Sequence, residues 1–182
     1  MKYIPEIKKI YKEKVINYFI KKLKYKNKME IPKIEKIVIN MTLGKNIKNK
    51  KCFNNTYKEI KTITGQKPLI IKAKKSISNF KIRKNENIAF KVTLRRNNMF
   101  EFINKLINIA LPRIKNFKGF SISSFDYYGN LNFGINDFNI FPEIFLSKKI
   151  HKEKGLNINI IIKNKNIKES YKLLKKINFP FV

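Results

Sequence analysis

The segment Gly65–Arg83, GQKPLIIKAKKSISNFKIR, limits the possible folds more than any other part of the chain. It holds five lysines and one arginine and no acid. Apolar and basic residues alternate on either side of a small-residue centre, Ser76-Ile77-Ser78-Asn79. That pattern is a strand, Leu69–Ala73, running into a loop, Lys74–Asn79, and out again through Phe80–Arg83. Such a chain needs a sheet from which to project the loop, and a cationic loop suits a polyanion. A mobile loop is expected in the free protein, because serine and asparagine fix a strand poorly.

The sheet is legible next to it. Ile88–Arg95 (IAFKVTLR) puts Ile88, Phe90, Val92 and Leu94 on one face and Ala89, Lys91, Thr93 and Arg95 on the other. Ile34–Met41, Leu131–Ile135 and Leu156–Lys163 read as further strands. Helical spacing predicts helices over Met1–Lys26, with Pro5 in the first turn, and over Lys48–Thr64, closed by Gly65. Two more are expected: Met99–Ala110, capped by Asn97 or Asn98 and ended by Pro112, and Ile167–Ile177. The rest of Arg113–Phe145 reads as irregular. The central order of strand, helix, strand, strand, helix, strand predicts an α+β fold. Its core is an antiparallel sheet with helices packed on one face (split β-α-β-β-α-β-like), plus an N-terminal helix and a long basic loop. One domain, 1–182, is expected, with an N-terminal helix to residue 31, a sheet with its basic loop over 32–97 and a C-terminal half over 98–182.

Charge narrows the function. Forty-two Lys+Arg stand against 12 Asp+Glu, a formal net charge of +30 in 182 residues. The hydrophobic fraction is 43% and the aromatic fraction 13%, enough for a packed core. Self-repulsion at this charge favours a protein that lies against an anion, either nucleic acid or an anionic membrane surface. No apolar run is long enough for a spanning helix, and the charged N-terminus does not read as a secretory signal. Cys52 is the lone cysteine, which points to a reducing compartment. Arginine is confined to Arg83, Arg95, Arg96 and Arg113, while Ile, Lys and Asn abound. That usage fits an AT-rich genome, and the four arginines either mark bidentate contacts or are chance survivors.

Catalysis has little to rest on. His151 is a single histidine among lysines, the acids are scattered, and no metal-ligand spacing, phosphate loop or nucleophile elbow occurs. No cofactor is expected. The basic amphipathic helix at the N-terminus keeps a membrane-surface protein in view as a rival, and a DNA-binding architectural protein is another.

Six segments in order resemble one family. They are IPKIEKIVINM (Ile31–Met41), ITGQKPLIIKAKKSISNFKIR (Ile63–Arg83), FKVTLR (Phe90–Arg95), MFEFINKLINIALPRIKNFKGFS (Met99–Ser121), IFPEI (Ile140–Ile144) and NFPF (Asn178–Phe181). Together they resemble the bacterial-type large-subunit ribosomal proteins that bind 5S ribosomal RNA. The resemblance implies a non-catalytic protein of the central protuberance with several partners: 5S rRNA, other large-subunit rRNA and proteins, the peptidyl-site tRNA and a protein of the small-subunit head. No membrane partner is expected. It implies a place on the ribosome, in a bacterial cytoplasm or an organelle matrix.

Carried over by position, the tRNA-facing loop is Lys72, Lys74, Lys75, Ser76, Asn79, Phe80, Lys81 and Arg83. The rRNA-facing set is Lys33, Lys36, Asn40, Gln66, Lys67, Lys91, Thr93 and Arg95. Lysines would hold phosphates as point charges, arginines as bidentate donors. Phe80 either stacks on a base or packs back on its own domain. The chain departs from the family pattern at Thr42-Leu43-Gly44-Lys45, at Arg96-Asn97-Asn98, at Asp126-Tyr127-Tyr128-Gly129-Asn130 and at Phe145-Leu146-Ser147-Lys148-Lys149.

Overall fold

Alternation holds along Phe90–Leu94, where Phe90, Val92 and Leu94 are buried, Lys91 is exposed and Thr93 is half-buried, but not at the start of the strand, where Ile88 is only half-buried and Ala89 is buried. The computed structural model describes residues 3–44, 49–136, 140–145, 155–163 and 166–182. His151 and the departures at Lys45 and Leu146–Lys149 lie outside the described residues. The strands are β1 (Lys33–Thr42), β2 (Leu69–Lys72), β3 (Asn87–Leu94), β4 (Leu131–Ile135) and β5 (Leu156–Lys163). They form one five-stranded antiparallel sheet in the order β2-β3-β1-β5-β4. β5, not β4, therefore completes the split β-α-β-β-α-β pattern beside β1, and β4 is an added edge strand.

The helices are α1 (Glu6–Ile10) and α2 (Ile16–Leu23), joined through a π turn, Tyr11–Val15, then α3 (Lys50–Thr64), α4 (Arg96–Lys105), α5 (Pro142–Phe145) and α6 (Ile167–Lys176). The expected third helix starts earlier than the spacing suggests. Arg95 is its N-cap residue, and Asn97 instead accepts a hydrogen bond from Lys8 Nζ at 2.8 Å. Pro5 is likewise the N-cap of α1 rather than part of its first turn, and its carbonyl accepts from the amides of Lys8 and Lys9. Phe80–Arg83 is not a strand. Lys81 takes a left-handed backbone (φ 53), which turns the chain after a single Ile77–Ile82 bridge.

The chain divides into two compact units. One comprises Met1–Ile37, Leu94–Phe133 and Asn159–Val182. Here α1 packs against α4, burying Ile7, while Val15 and Phe19 are buried further along the same rod. The middle of the amphipathic helix's apolar face is thus covered by protein, while Ile4 at its start is exposed. No helix among the described residues is long and apolar enough to cross a membrane. A second cluster joins two of the recurring motifs. Phe120 lies 5.1 Å from Phe117, 4.5 Å from Phe133 and 5.2 Å from Phe179, ring centre to ring centre. Its amide donates to the Pro180 carbonyl, and its carbonyl accepts from the Val182 amide. Gly119 (φ 109) has no room for a side chain, since a Cβ would meet Val182 Cγ2 at 2.9 Å.

The same unit contains Tyr11, whose hydroxyl donates to the Pro32 carbonyl at 2.9 Å. Burial pushes its phenol up from 10.0 to about 12. The neutral form is the one the fold accepts, so this contribution is complete below pH 10 and is lost as pH rises through about 12. Urea midpoints followed over that window are expected to fall more steeply for the unaltered chain than for Tyr11→Phe; parallel slopes would contradict the assignment.

The other unit comprises Val38–Thr93 and Gly134–Ile158. α3 covers the buried face of β3: Phe53 and Tyr57 sit 4.8 and 6.0 Å from the Phe90 ring. Ile60 and Ile63 complete the buried stripe. Asn49 caps α3 by accepting from the amides of Lys51 and Cys52, and Gly65 (φ 66) closes it, its amide donating to Lys61.

Candidate nucleic-acid interface

The basic loop grows from the β2–β3 pair, which is in antiparallel register with Leu69 opposite Lys91 and Ile71 opposite Ala89. Beyond Lys72 the two arms stay tied. Ala73 donates to the Glu86 carbonyl at 2.8 Å, and Asn85 donates back to Ala73 at 2.9 Å. Further out, Ile77 and Ile82 exchange amide hydrogen bonds at 3.0 and 3.2 Å, and Lys81 closes the tip on Ser78. The Ser76 hydroxyl accepts from the Lys84 amide, and a Glu86 carboxylate oxygen accepts from the Arg83 amide, each at 3.0 Å. The loop is therefore a hairpin tied across by small bridges, not a plain arm. Ser76 is partly spent on holding it together.

Its cations face out. Lys72, Lys74, Lys75, Ser76, Asn79, Phe80, Lys81 and Arg83 are all exposed. Phe80 is 72% exposed, so it does not pack back on its own domain. Sequence reasoning missed Lys84, which is exposed beside Arg83 and extends the basic stretch; the signal was the contiguous charge itself. Hydrogen exchange is expected to be fast at Lys74 and Lys75 and slowed at Ile77 and Ile82, whose amides bond each other's carbonyls. Uniformly fast exchange across 74–83 would show that these bridges do not hold in solution.

The second set of candidate residues divides between the units. Asn40, Gln66, Lys67, Lys91 and Thr93 belong to one. Lys67 and Lys91 are exposed, and Gln66 and Thr93 are brought together: Gln66 Nε2 donates to the Thr93 carbonyl at 3.2 Å. Asn40 points differently from expectation, since its Oδ1 is buried with no hydrogen-bond partner. That oxygen has to turn outward before it accepts anything from an RNA.

Lys33, Lys36 and Arg95 belong to the other unit. Lys33 is exposed and Lys36 half-buried. Arg95 was expected as the last residue of a strand face. β3 instead ends at Leu94, because the chain reverses at Arg96 (φ 53), and the Arg95 guanidinium lies 3.6 Å from Glu35 Oε1. Both side chains are about half exposed, at 54% and 44%. An ion pair that open to water is worth roughly 0–1 kcal/mol, so a phosphate can displace the carboxylate.

Two family models match the chain. One described as ribosomal protein L5 covers residues 27–83, and one described as the ribosomal L5P family C-terminus covers residues 87–181. The chain belongs to the L5 family of ribosomal proteins. Curated relatives in the family align along the full length. The large ribosomal subunit protein uL5 of Borreliella afzelii is 47% identical over 181 residues, covering 100% of this chain and 99% of that protein. Its counterpart in Pelagibacter ubique is 46% identical over 179 residues, covering 98% and 97%. The L5 family is structural and non-enzymatic, which agrees with the scattered acids. The boundary between the two family models falls within the turn at Lys84–Glu86, so the basic loop closes the first match and β3 opens the second.

Proposed function

We propose that this chain is a structural constituent of the large ribosomal subunit that binds 5S rRNA in the central protuberance. It acts as one RNA-binding unit on the ribosome in a bacterial cytoplasm. The observation that carries the reading is the exposure of Lys33, Lys67 and Lys91 in a member of a ribosomal family. Lys33, Lys36, Lys67 and Lys91 neutralise phosphates, and Arg95 exchanges Glu35 for one. Gln66, Thr93 and Asn40 supply hydrogen-bonding groups for base edges and 2′-hydroxyls.

The loop reaches the peptidyl-site tRNA. Lys72, Lys74, Lys75, Lys81 and Arg83 meet its backbone, Ser76 and Asn79 offer hydrogen bonds, and Phe80 stacks on it. A further surface meets a small-subunit head protein. Recognition of this kind is of folded RNA shape, not of a base sequence read in a groove, which separates it from duplex-DNA binding.

Ribosomes assembled with a Lys74→Gln, Lys75→Gln, Lys81→Gln variant test the tRNA contact. Losing three phosphate contacts is expected to weaken peptidyl-site tRNA and to flatten the salt dependence of its binding by roughly two to three in slope. Intact subunits with unchanged tRNA binding would remove the tRNA contact while leaving the 5S rRNA reading standing.

A further inference from the structure

The structure assigns a second base-stacking element, the tyrosine pair Tyr127–Tyr128 at the tip of the hairpin before β4, which grips an unpaired RNA base. The inference rests on the RNA-binding reading above but concerns a different part of the chain.

The hairpin is rigidly closed. Phe125 and Leu131 pair across its neck. Asp126 donates its amide to the Asn130 carbonyl at 2.9 Å, and Gly129 donates to the Asp126 carbonyl at 2.9 Å. Both carboxylate oxygens of Asp126 are occupied by Asn130, one by its amide at 2.7 Å and one by its side-chain nitrogen at 2.8 Å. Gly129 takes the left-handed conformation the turn requires (φ 75). Asn130 Oδ1 accepts from the Ile162 amide, which pins the hairpin to β5. Below the neck, Phe125 stacks on Phe181.

On that fixed base the two central residues are Tyr127, 88% exposed, and Tyr128, 75% exposed. Their rings meet edge to face, 5.5 Å apart at 86°. Turn chemistry does not call for them: such tips favour small polar residues, and these rings bury almost nothing. Large aromatics held out on a rigid turn are suited to insertion or stacking against a partner with a flat apolar face.

Charge selects the partner. In the stretch from Lys115 to Asn130 the one acid, Asp126, is turned onto Asn130, while Lys115 and Lys118 are exposed. Under the hairpin the ring layer continues from Phe181 to Tyr171 at 4.8 Å, and Lys175 Nζ stands 5.6 Å over the Tyr171 ring. Exposed rings on a stretch of chain that also carries exposed lysines match a nucleic-acid strand, whose bases stack while its phosphates take the charge. An A-form duplex hides its base faces, so the pair discriminates for single-stranded or bulged RNA.

The test compares the full chain with Tyr127→Ala/Tyr128→Ala and with Tyr127→Phe/Tyr128→Phe. Phe80→Ala is present in all three to silence the exposed ring of the basic loop. Affinities are measured for a short single-stranded oligoadenylate and for an RNA duplex of equal length. The alanine pair is expected to lose about tenfold or more on the single strand and to hold the duplex unchanged, while the phenylalanine pair keeps both. Equal losses on both RNAs, no loss, or no single-strand binding by the parent chain would overturn the stacking pair. So would an alanine pair that binds both RNAs normally but fails to enter large subunits, since the rings would then be docking on a protein. Binding of the unaltered chain to 5S rRNA is measured alongside. Its absence would sink the RNA reading itself, whereas its presence with unaffected oligoadenylate affinity sinks the tyrosine pair alone.

Discussion

Phe120→Ala is expected to cost about 3–5 kcal/mol of stability, as removal of a buried phenylalanine commonly does. The site has little capacity to relax. Three rings surround Phe120 within 5.2 Å, and its backbone is bonded on both sides to the C-terminal tail. Removing the ring opens a cavity between Phe133 and Phe179 and loosens the seat of Pro180 to Val182. Domains of this size commonly have about 5–15 kcal/mol in all, and a net charge of +30 lowers that through self-repulsion. The variant should therefore be largely unfolded at low ionic strength and recover in part with added polyanion. Urea midpoints read both effects, and a change below about 1 kcal/mol would mean the aromatic cluster does not hold the C-terminal tail in place.

The second large effect is on RNA affinity. If about six to ten phosphates are neutralised, binding to 5S rRNA should weaken by roughly 10³–10⁵ between about 50 and 200 mM salt. Individual residues should leave different marks. Lys91→Gln removes one exposed phosphate contact and is expected to lower the slope by roughly one. Arg95→Gln should cost less, because the guanidinium must first leave Glu35, 3.6 Å away. By the same reasoning Glu35→Gln should strengthen binding. Weakened binding by Glu35→Gln would mean that the ion pair positions Arg95 rather than competing for it.

Local pattern carried much of the fold. β3 was legible because period-two alternation is written into eight consecutive residues, and α3 because its apolar spacing ends on a glycine. Long-range pairings were not. Nothing in Leu131–Ile135 says that it lies at the sheet edge while Leu156–Lys163 takes the place beside β1. FKGF and NFPF could be quoted as motifs, yet their reason is mutual: Phe120 and the tail bond each other, and Gly119 is needed where Val182 passes.

The candidate site shows the same division. The exposure of the loop lysines followed from charge density. The Ser76, Glu86 and Ile77–Ile82 bonds that shape the loop did not, since each joins residues whose types are equally common in open loops. Arg95 was placed on the strand face by alternation, but the left-handed turn at Arg96 overrides it. Asn40 looked like an outward hydrogen-bonding residue, and its oxygen is buried.

Competition for 5S rRNA is the measurement to make first. The purified chain is bound to labelled 5S rRNA at moderate salt, then challenged with excess tRNA and, separately, with duplex DNA. A 5S rRNA complex that survives both competitors is the predicted result, because shape and 2′-hydroxyl contacts add to the charge. Equal displacement by both competitors would contradict it, leaving a basic protein that holds RNA by charge alone.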